Sequence, residues 1–227
     1  MKQIPRNLFQ TWSTKQLPPK LKERVDHLRA VNPEYHYQLF DDSDCRSFIQ
    51  THFGNEVVAA YDCLVPGAYK ADLWRLCVLY VHGGVYMDIK LDCINGFRLS
   101  HLDPTKNHFV RDRPMPLSIY NAFMMCFAGH PFLRMGIYRI VTNVHHHFYG
   151  RSPLAPTGPE MLGMIVLRRK VSINLDLVHS PHGGEIWQNG RAILSTEYPE
   201  YDRDRRESNP VKRYDQLWNE RKIYKTH

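Results

Sequence analysis

Apolar positions along the chain recur with two different spacings, and segments with the two spacings alternate. Leu21, Val25 and Leu28 recur at helical spacing behind Pro18-Pro19, and Asn32-Pro33 ends this predicted helix. The next segment is short, apolar and strand-like, and the same alternation continues over most of the chain. The pattern therefore predicts an α/β protein rather than an all-helical or all-β protein.

The same spacing rules place the other elements. Strands are predicted at Ile4 to Trp12, Tyr35 to Phe40, Val85 to Leu91, His108 to Arg111, Ala122 to Phe127 and Leu175 to His179, with a hairpin of Ile186 to Gln188 and Arg191 to Leu194 around Asn189-Gly190. Further helices are predicted from an Asp41-Asp42-Ser43 cap to His52, then at Glu56 to Cys63, Tyr69 to Val81, Pro131 to His147, behind Thr157-Gly158-Pro159 to Arg169, and at Val211 to Arg221. This order predicts a mainly parallel central sheet with helices on both faces and a mixed C-terminal part. No internal repeat or low-complexity linker divides residues 1–227, so a single domain is predicted.

One stretch, 69-YKADLWRLCVLYVHGGVYMDIKLD-92, concentrates polar chemistry between apolar residues. Asp72 and Arg75 are three residues apart on the predicted helix and leave the same face. Gly83-Gly84 permits a tight return into the predicted strand, one face of which carries Tyr86, Asp88, Lys90 and Asp92. Two interpretations remain open: a solvated strand face with a surface ion pair, or a site for a divalent metal or a diphosphate at the carboxyl end of a strand.

The composition limits the function classes. The formal net charge is +7 with a pI near 9.2, which suits nucleic acid, an anionic membrane surface or a phosphorylated small substrate. The basic residues are not gathered in one tract, which disfavours a nucleic-acid-binding module. The 5 Cys include no CxxC pair and lie in apolar runs, which indicates reduced, buried thiols.

The chain has neither an 18-residue apolar run nor the apolar core of a signal peptide. We therefore expect a cytoplasmic protein with no integral membrane segment. This expectation argues against a protein resident in the Golgi and suits a bacterial or viral origin. The sequence does not determine the oligomeric state.

Several spaced motifs resemble one enzyme family. The order Asp-x-x-Arg followed by Gly-Gly-[aliphatic]-Tyr-[apolar]-Asp occurs here as Asp72 to Asp88, and the opening strand Ile4 to Trp12 reads IPRNLFQTW. Asn121 to Met124, Gly129 to Phe132 and Thr157-Gly158-Pro159 follow in the matching order. Together these motifs resemble glycosyltransferase family 32, the group with the DXD-containing sugar-binding region, which is related to the toxin glucosyltransferases. The resemblance covers roughly residues 4 to 165.

The resemblance implies a GT-A (Rossmann-like) fold, a UDP- or GDP-sugar donor, a glycan or saccharide acceptor, and hexosyl transfer with retention of configuration. It implies that Trp12 stacks on the nucleobase, that Asp72 and Arg75 bind the sugar and its phosphate side, and that Asp88 is the first carboxylate of a DXD motif holding Mn²⁺ or Mg²⁺. The other matching positions assigned to the nucleotide-sugar site are Phe9, Gln10, Thr11, Gly84, Tyr86, Lys90, Asn121, Thr157, Gly158 and Trp218.

Two positions depart from the family pattern. Phe9 stands where the family commonly has His, so a polar contact is lost. Lys90 stands at the second carboxylate of the motif, which reads Asp88-Ile89-Lys90. Either Asp92 supplies the second acidic group to the metal, or Lys90 supplies the positive charge itself and the metal dependence is weak.

Some candidate residues have an equally ordinary structural explanation. Trp218 suits a contact with the donor diphosphate, but it also suits the core of an amphipathic helix. The run His145 to His147 suits an exposed helix end better than a metal site, because consecutive residues diverge around a helix. His179 and His182 suit either an acceptor cleft or a loop.

Two other function classes remain as alternatives to the transferase. A catalytically inactive relative would bind sugar nucleotides without turnover, with Lys90 as the lesion. A basic nucleic-acid-binding module would show salt-sensitive binding of DNA or RNA.

Overall fold

The computed structural model describes residues 2–112, 118–169, 171 and 173–225. Its strands are β1 (Asn7–Thr11), β2 (His36–Phe40), β3 (Gly84–Met87), β4 (Asp92–Cys93), β5 (His108–Asp112), β6 (Ser118–Cys126), β7 (Leu177–His179), β8 (Glu185–Gln188) and β9 (Arg191–Ser195). Its helices are α1 (Pro19–Val31), α2 (Asp42–His52), α3 (Asn55–Cys63), α4 (Gly67–His82), α5 (Pro131–His145), α6 (Pro159–Arg169), α7 (Tyr201–Ser208) and α8 (Tyr214–Asn219).

The described strands form one sheet in the order β2-β1-β3-β6-β5-β7-β8-β9-β4. Strands β2, β1 and β3 run parallel, as do β5 and β7. Strand β6 is antiparallel to both of its neighbours, and the strands from β7 to β4 pair antiparallel. The three adjacent parallel strands are therefore those of the N-terminal βαβ region. The carboxyl ends of these strands meet at one edge of the sheet, which is where ligands bind in α/β proteins.

Both faces of the sheet are covered by apolar packing. On one face, Phe9, Tyr86 and Met124 pack under helices α2 to α6. On the other face, Leu8 and Val85 pack with residues that include Leu28 of α1. This two-sided burial agrees with the long apolar runs of the predicted strands.

Local sequence signals explain where the N-terminal helices begin. Helix α1 starts at Pro19, where a missing N–H costs nothing, and buries Leu21, Val25 and Leu28 as the spacing predicts. Helix α2 starts behind Asp41, whose carboxylate accepts a hydrogen bond from the Asp44 backbone N–H while Asp44 accepts from the Asp41 N–H. These two predicted helices are confirmed.

The predicted strand from Val85 to Leu91 is wrong beyond Met87. The chain turns after β3, with the Leu91 N–H donating to the Asp88 carbonyl at 2.9 Å. Ile89 and Leu91 are both buried, but they enter two different apolar clusters. This packing replaces the strict alternation of a strand, so Asp88, Lys90 and Asp92 do not lie on one strand face.

The C-terminal region also differs from the prediction. The predicted helix from Val211 to Arg221 is shortened to α8, and α7 was not predicted. Helix α7 reads YDRDRRES, which has one apolar position and therefore no helical periodicity to detect.

Candidate functional site

A cleft of 870 Å³ opens beyond the carboxyl ends of β1 and β3. Trp12 follows β1, Asp88 and Lys90 follow β3, and Tyr201 and Arg205 of α7 line the same cleft. The volume lies in the range of sites that hold cofactor-sized ligands. The cleft therefore brings together most of the residues that the sequence singled out.

Asp72 of α4 is fixed by groups from two other parts of the chain. Its Oδ1 accepts a hydrogen bond from Asn121 Nδ2 at 2.9 Å, and its Oδ2 accepts one from Thr157 Oγ1 at 2.7 Å. A Cβ at position 158 would lie 3.4 Å from Asp72 Oδ2, so glycine leaves room for the Asp72 carboxylate beside this turn. Burial raises the pKa of Asp72, while the charge of Arg75 and the bond from Thr157 oppose that rise. The structure thus gives Asn121 and the Thr157-Gly158 turn a shared role in orienting Asp72.

Arg75 lies beside two carboxylates and is 4% exposed. Its Nη2 is 3.3 Å from Asp72 Oδ1 and 3.2 Å from Asp88 Oδ1. Its Nη1 donates to the Asn121 carbonyl at 2.7 Å, and its Nε donates to the Ala71 carbonyl at 3.1 Å. Burial by itself would lower the pKa of Arg75, but nearby Tyr86, Asp88 and Asp72 raise it, so the guanidinium stays charged. Arg75 therefore positions both carboxylates, and each of its three guanidinium nitrogens already has a partner.

Asp88 is held at the cleft by the end of β3. Its backbone N–H donates to the Ala122 carbonyl at 2.7 Å, and its Oδ1 accepts from the Tyr86 hydroxyl at 2.9 Å. Gln10 Nε2 donates to the Asp88 carbonyl at 3.3 Å. Burial raises the pKa of Tyr86, against the charge of Arg75, so Tyr86 remains a donor. Tyr86 and Gln10 therefore both support Asp88. Tyr86 also lines the cleft, whereas Gln10 does not.

Lys90 and Asp92 have different surroundings. Lys90 lines the cleft, with Nζ 5.4 Å from the centre of the Tyr201 ring. Asp92 instead contacts His27 of α1, with Oδ2 2.8 Å from Nδ1, and its Oδ1 accepts from the Cys93 N–H. Of the two alternatives for the second charge beside Asp88, the structure brings Lys90 and not Asp92 to the cleft, because the turn after β3 directs Asp92 toward α1.

Two cations in the cleft lack a charged partner. Among the described residues, neither Lys90 nor Arg205 forms an ion pair, and the buried Nε of Arg205 has no hydrogen-bond partner. Arg205 Nη1 donates to the Val211 carbonyl at 3.0 Å. Unpaired, partly buried cations are costly unless an anion completes the site. The cleft is therefore suited to an anionic ligand.

Trp12 and Tyr201 form an aromatic wall of the cleft. Their ring centres are 5.9 Å apart at 62°. The buried indole Nε1 of Trp12 has no partner among the described residues, and Trp12 is 8% exposed. Thr11, next to it, also lines the cleft and donates to the Phe40 carbonyl at 2.9 Å. An aromatic wall with an unused N–H suits a planar, hydrogen-bonding ligand group.

Three residues assigned to the nucleotide-sugar site lie elsewhere. Phe9 is fully buried and packs against Phe40, so it belongs to the core. Gly84 has a φ of 114°, and a Cβ there would lie 2.7 Å from a backbone oxygen of β1, so it permits the close approach of β3 and β1. Trp218 donates from Nε1 to the Tyr149 carbonyl at 2.7 Å and packs against the core. None of these three residues lines the cleft, and neither does Gln10, which is fully buried, so the structure does not bring them together with the other predicted site residues.

Sequence reasoning missed other cleft residues. Tyr201 and Arg205 lie on helix α7, which was not predicted. Two tyrosines three residues apart, Tyr198 and Tyr201, were the sequence signal that could have indicated an aromatic wall there. Tyr120 lines the cleft and stacks on His179, with ring centres 4.0 Å apart at 9°. His179 also contacts Asp112 Oδ1 through Nδ1 at 2.9 Å. Only the folded sheet brings β5, β6 and β7 together in this way.

The donor set around Asp88 does not fit a divalent ion held by protein side chains alone. Within the described residues, no three His, Cys, Asp or Glu side chains are grouped to hold a metal. Asp88 Oδ1 already contacts Arg75 and Tyr86, and an ammonium occupies the position of the second carboxylate. Mg²⁺ and Mn²⁺ require oxygen-rich sites, and the single carboxylate of Asp88 falls short of one.

Comparisons with known proteins agree with this arrangement. Residues 18–107 match the family model described as "Glycosyltransferase sugar-binding region containing DXD motif". Inositol phosphoceramide mannosyltransferase 3 of Schizosaccharomyces pombe is 31% identical over 169 residues, covering 71% of this chain and 44% of that protein. Inositol phosphoceramide mannosyltransferase 2 of the same yeast is 27% identical, covering 86% of this chain and 53% of that protein. The chain thus spans about half the length of these curated relatives.

A solved structure supports the fold class. The structure titled "PaToxG Glycosyltransferase" superposes with a TM-score of 0.54 at 16% identity, covering 74% of this chain and 70% of that chain. The expected GT-A type α/β fold is therefore confirmed, and its sheet combines a parallel N-terminal part with antiparallel C-terminal strands.

The relatives also correct the expected location. They are fungal mannosyltransferases named for inositol phosphoceramide, a membrane sphingolipid, so the expectation of a cytoplasmic protein is wrong. None of the helices in the described part of the chain has the length and apolar composition needed to cross a membrane. The motif order, the cleft geometry and the family match lead to one conclusion: the chain belongs to the glycosyltransferase family with the DXD sugar-binding region.

Proposed function

We propose that the protein, as a single GT-A domain, transfers a hexosyl unit from a nucleotide-sugar to a saccharide acceptor with retention of configuration. One observation carries this proposal: Arg75 holds Asp72 and Asp88 together at the wall of a cleft large enough for a nucleotide-sugar. Buried carboxylates that are fully oriented before a ligand arrives suit recognition of sugar hydroxyl groups.

Within this proposal, different cleft residues bind the base, the sugar and the diphosphate of the donor. Trp12 faces the base, and Asp72 accepts hydrogen bonds from the sugar hydroxyls. Lys90 and Arg205 bind the diphosphate, because they are cations without a charged partner among the described residues. Arg75 acts as a positioning residue rather than as a phosphate ligand, because its nitrogens already contact Asp72, Asp88 and two carbonyls.

The bond changes follow from the donor chemistry. The acceptor hydroxyl oxygen bonds to the anomeric carbon while the bond from that carbon to the diphosphate oxygen breaks. The proton of the hydroxyl passes to the departing diphosphate, so no protein nucleophile is required. Lys90 and Arg205 stabilise the charge that develops on the leaving group, since fixed cations in a partly dry site are effective there.

Glycosyltransferases of the DXD family generally bind a divalent metal. The donor set of this chain favours a weaker dependence on Mn²⁺ or Mg²⁺, with the Lys90 ammonium supplying charge beside Asp88. The relatives named above are mannosyltransferases, which makes a mannosyl donor the first to test. A phosphoinositol-bearing sphingolipid is the first acceptor to test, since those relatives are named for one.

The test is donor hydrolysis and thermal stabilisation over a panel of UDP- and GDP-sugars, each with Mn²⁺, with Mg²⁺ and with EDTA. We expect one donor to stabilise and be hydrolysed, and Lys90→Ala to weaken its binding at least about tenfold, the loss of one hydrogen bond to a charged group. Asp92→Asn is the matched control, because Asp92 faces α1, and it should bind the donor normally.

The outcomes separate this proposal from its rivals. Binding that survives EDTA but is lost in Lys90→Ala supports charge supplied by Lys90. Binding without hydrolysis of any donor would identify the inactive relative that Lys90 at the second carboxylate position also suits. The absence of both binding and hydrolysis over the whole panel would refute the transferase.

A further inference from the structure

Helices α5 and α6 form a second concave surface, separate from the cleft, with a volume of 1410 Å³. Four arginines lie along it: Arg134 and Arg139 on α5, Arg151 in the connecting segment, and Arg168 on α6. Among the described residues, none of these four guanidinium groups forms an ion pair or a hydrogen bond. We call this surface the α5–α6 face.

Large apolar side chains are exposed on the same face. Tyr138 on α5 is 72% exposed and Phe148 in the connecting segment is 45% exposed, and both line the concavity. Tyr138 lies four residues after Arg134 on α5, so an apolar and a cationic side chain are neighbours. These two are among the five large hydrophobic residues that are exposed in the described part of the chain. Their grouping marks an interaction surface rather than scattered surface residues.

We propose that the α5–α6 face docks the protein on an anionic membrane surface. Unpaired arginines attract lipid phosphates, and the neighbouring Tyr138 and Phe148 side chains insert at the boundary between headgroups and acyl chains. A nucleic acid would pair with the arginines but would leave Tyr138 and Phe148 in water. The combination of arginines with exposed apolar side chains therefore favours a lipid surface.

The α5–α6 face lies close to the cleft, so docking on a membrane would bring the cleft near the membrane surface. The segment between α5 and α6 separates the two concavities. Its residues Pro153 and Leu154 line the cleft, and Arg151 and Ala155 line the α5–α6 face. A membrane held on this face lies beside the cleft, at a distance set by one short segment. The docking itself does not depend on the proposed transfer reaction.

Co-sedimentation with vesicles of phosphatidylcholine, with and without phosphatidylserine, tests the proposal. The wild-type protein should bind the vesicles that contain phosphatidylserine, and added salt should weaken this binding. The triple variant Arg134→Glu, Arg139→Glu, Arg168→Glu should lose at least about a hundredfold in partition, since each basic residue near an anionic surface contributes about fivefold. The variant Tyr138→Ser, Phe148→Ser should lose about tenfold at unchanged net charge.

A charge-matched control uses α1 on the opposite face of the sheet. The variant Lys20→Glu, Lys22→Glu, Arg29→Glu changes the net charge equally, and it should keep vesicle binding near wild type. Circular dichroism and thermal unfolding check that all variants fold, and donor hydrolysis should be unchanged without lipid.

Equal losses in the α1 control and the arginine variant would show binding by net charge alone and overturn the proposal. Vesicle binding that survives the arginine reversal would overturn it as well. Failure of the wild type to bind anionic vesicles would also overturn it, and RNA binding lost in the same variant would then assign the face to nucleic acid.

Discussion

Replacing Arg75 with Met tests whether one guanidinium holds the candidate site together. Arg75 is 4% exposed and lies 3.3 Å from Asp72 and 3.2 Å from Asp88. Met fills a similar volume but leaves the two carboxylates without their shared cation. The perturbation is therefore mainly electrostatic and leaves little cavity.

The structure indicates the size of the effect. Removing one partner of a buried ion pair costs about 3–5 kcal/mol, because the remaining charge stays desolvated. Asp72 keeps its bonds from Asn121 and Thr157, and Asp88 is 28% exposed and keeps its bond from Tyr86. We therefore expect Arg75→Met to lower the free energy of unfolding at pH 7 by about 3 kcal/mol, the lower end of that range.

Urea unfolding at several pH values is the assay. Burial already raises the pKa of Asp72, and without Arg75 it rises further. A raised pKa in the folded state means that protonation favours folding, so the penalty is relieved as the pH falls toward the usual Asp value near 4. The gap in unfolding free energy between wild type and Arg75→Met should thus be largest near pH 7 and shrink toward pH 4.

Two further variants complete the experiment. Adding Asp72→Asn to Arg75→Met should recover about 1–2 kcal/mol, because it removes one uncompensated charge. Arg46→Met, which breaks an exposed pair with Asp62, should leave the unfolding free energy unchanged within error. A loss below about 1 kcal/mol for Arg75→Met, or a loss independent of pH, would refute the buried-pair reasoning.

Three other substitutions test separate features. Thr157→Val should destabilise the fold by about 1.5–3 kcal/mol and slow donor hydrolysis, because it removes a 2.7 Å hydrogen bond to the buried Asp72 carboxylate. The pKa of His108 is raised: burial lowers it, but contacts of its ring nitrogens with Asp176 and a backbone carbonyl outweigh burial. The stabilisation by charged His108 is therefore fully present below pH 6.5 and is lost as the pH rises through the raised pKa of the folded state. His108→Asn should remove this dependence of the unfolding free energy on pH, as measured by urea unfolding. Gly84→Ala should destabilise by at least about 2 kcal/mol in thermal or urea unfolding, because it combines a φ of 114° with a Cβ only 2.7 Å from a backbone oxygen.

Two of these substitutions have a matched control. Thr157→Ser keeps the hydroxyl and should behave nearly as wild type; an equal loss in both Thr157 variants would contradict the hydrogen-bond explanation. Gly129→Ala has a φ of 74° but open space around the new Cβ, so it should cost less than Gly84→Ala. A wild-type protein whose stability does not fall between pH 6 and 8 relative to His108→Asn would contradict the charge assigned to His108.

Local signals in the sequence were sufficient for elements whose stabilising contacts are close in the chain. The proline start of α1 and the Asp41 cap of α2 are both present as predicted, and the structure adds that Asp44 makes this cap reciprocal. The Val85 to Leu91 strand failed because Ile89 and Leu91 enter different apolar clusters, an arrangement that period-two alternation does not encode. Helix α7 was missed because its polar sequence carries no periodicity.

The sequence by itself determined the α/β class, the family motifs and the presence of Asp72, Arg75 and Asp88 at the site. Only the tertiary structure decided how these residues are used. It turned Asp92 toward α1, placed Phe9 and Trp218 in the core, and brought Tyr201 and Arg205 into the same cleft as Lys90. The physical reason is that side-chain direction depends on packing between distant segments: a one-residue change in where a strand ends redirects every side chain that follows it.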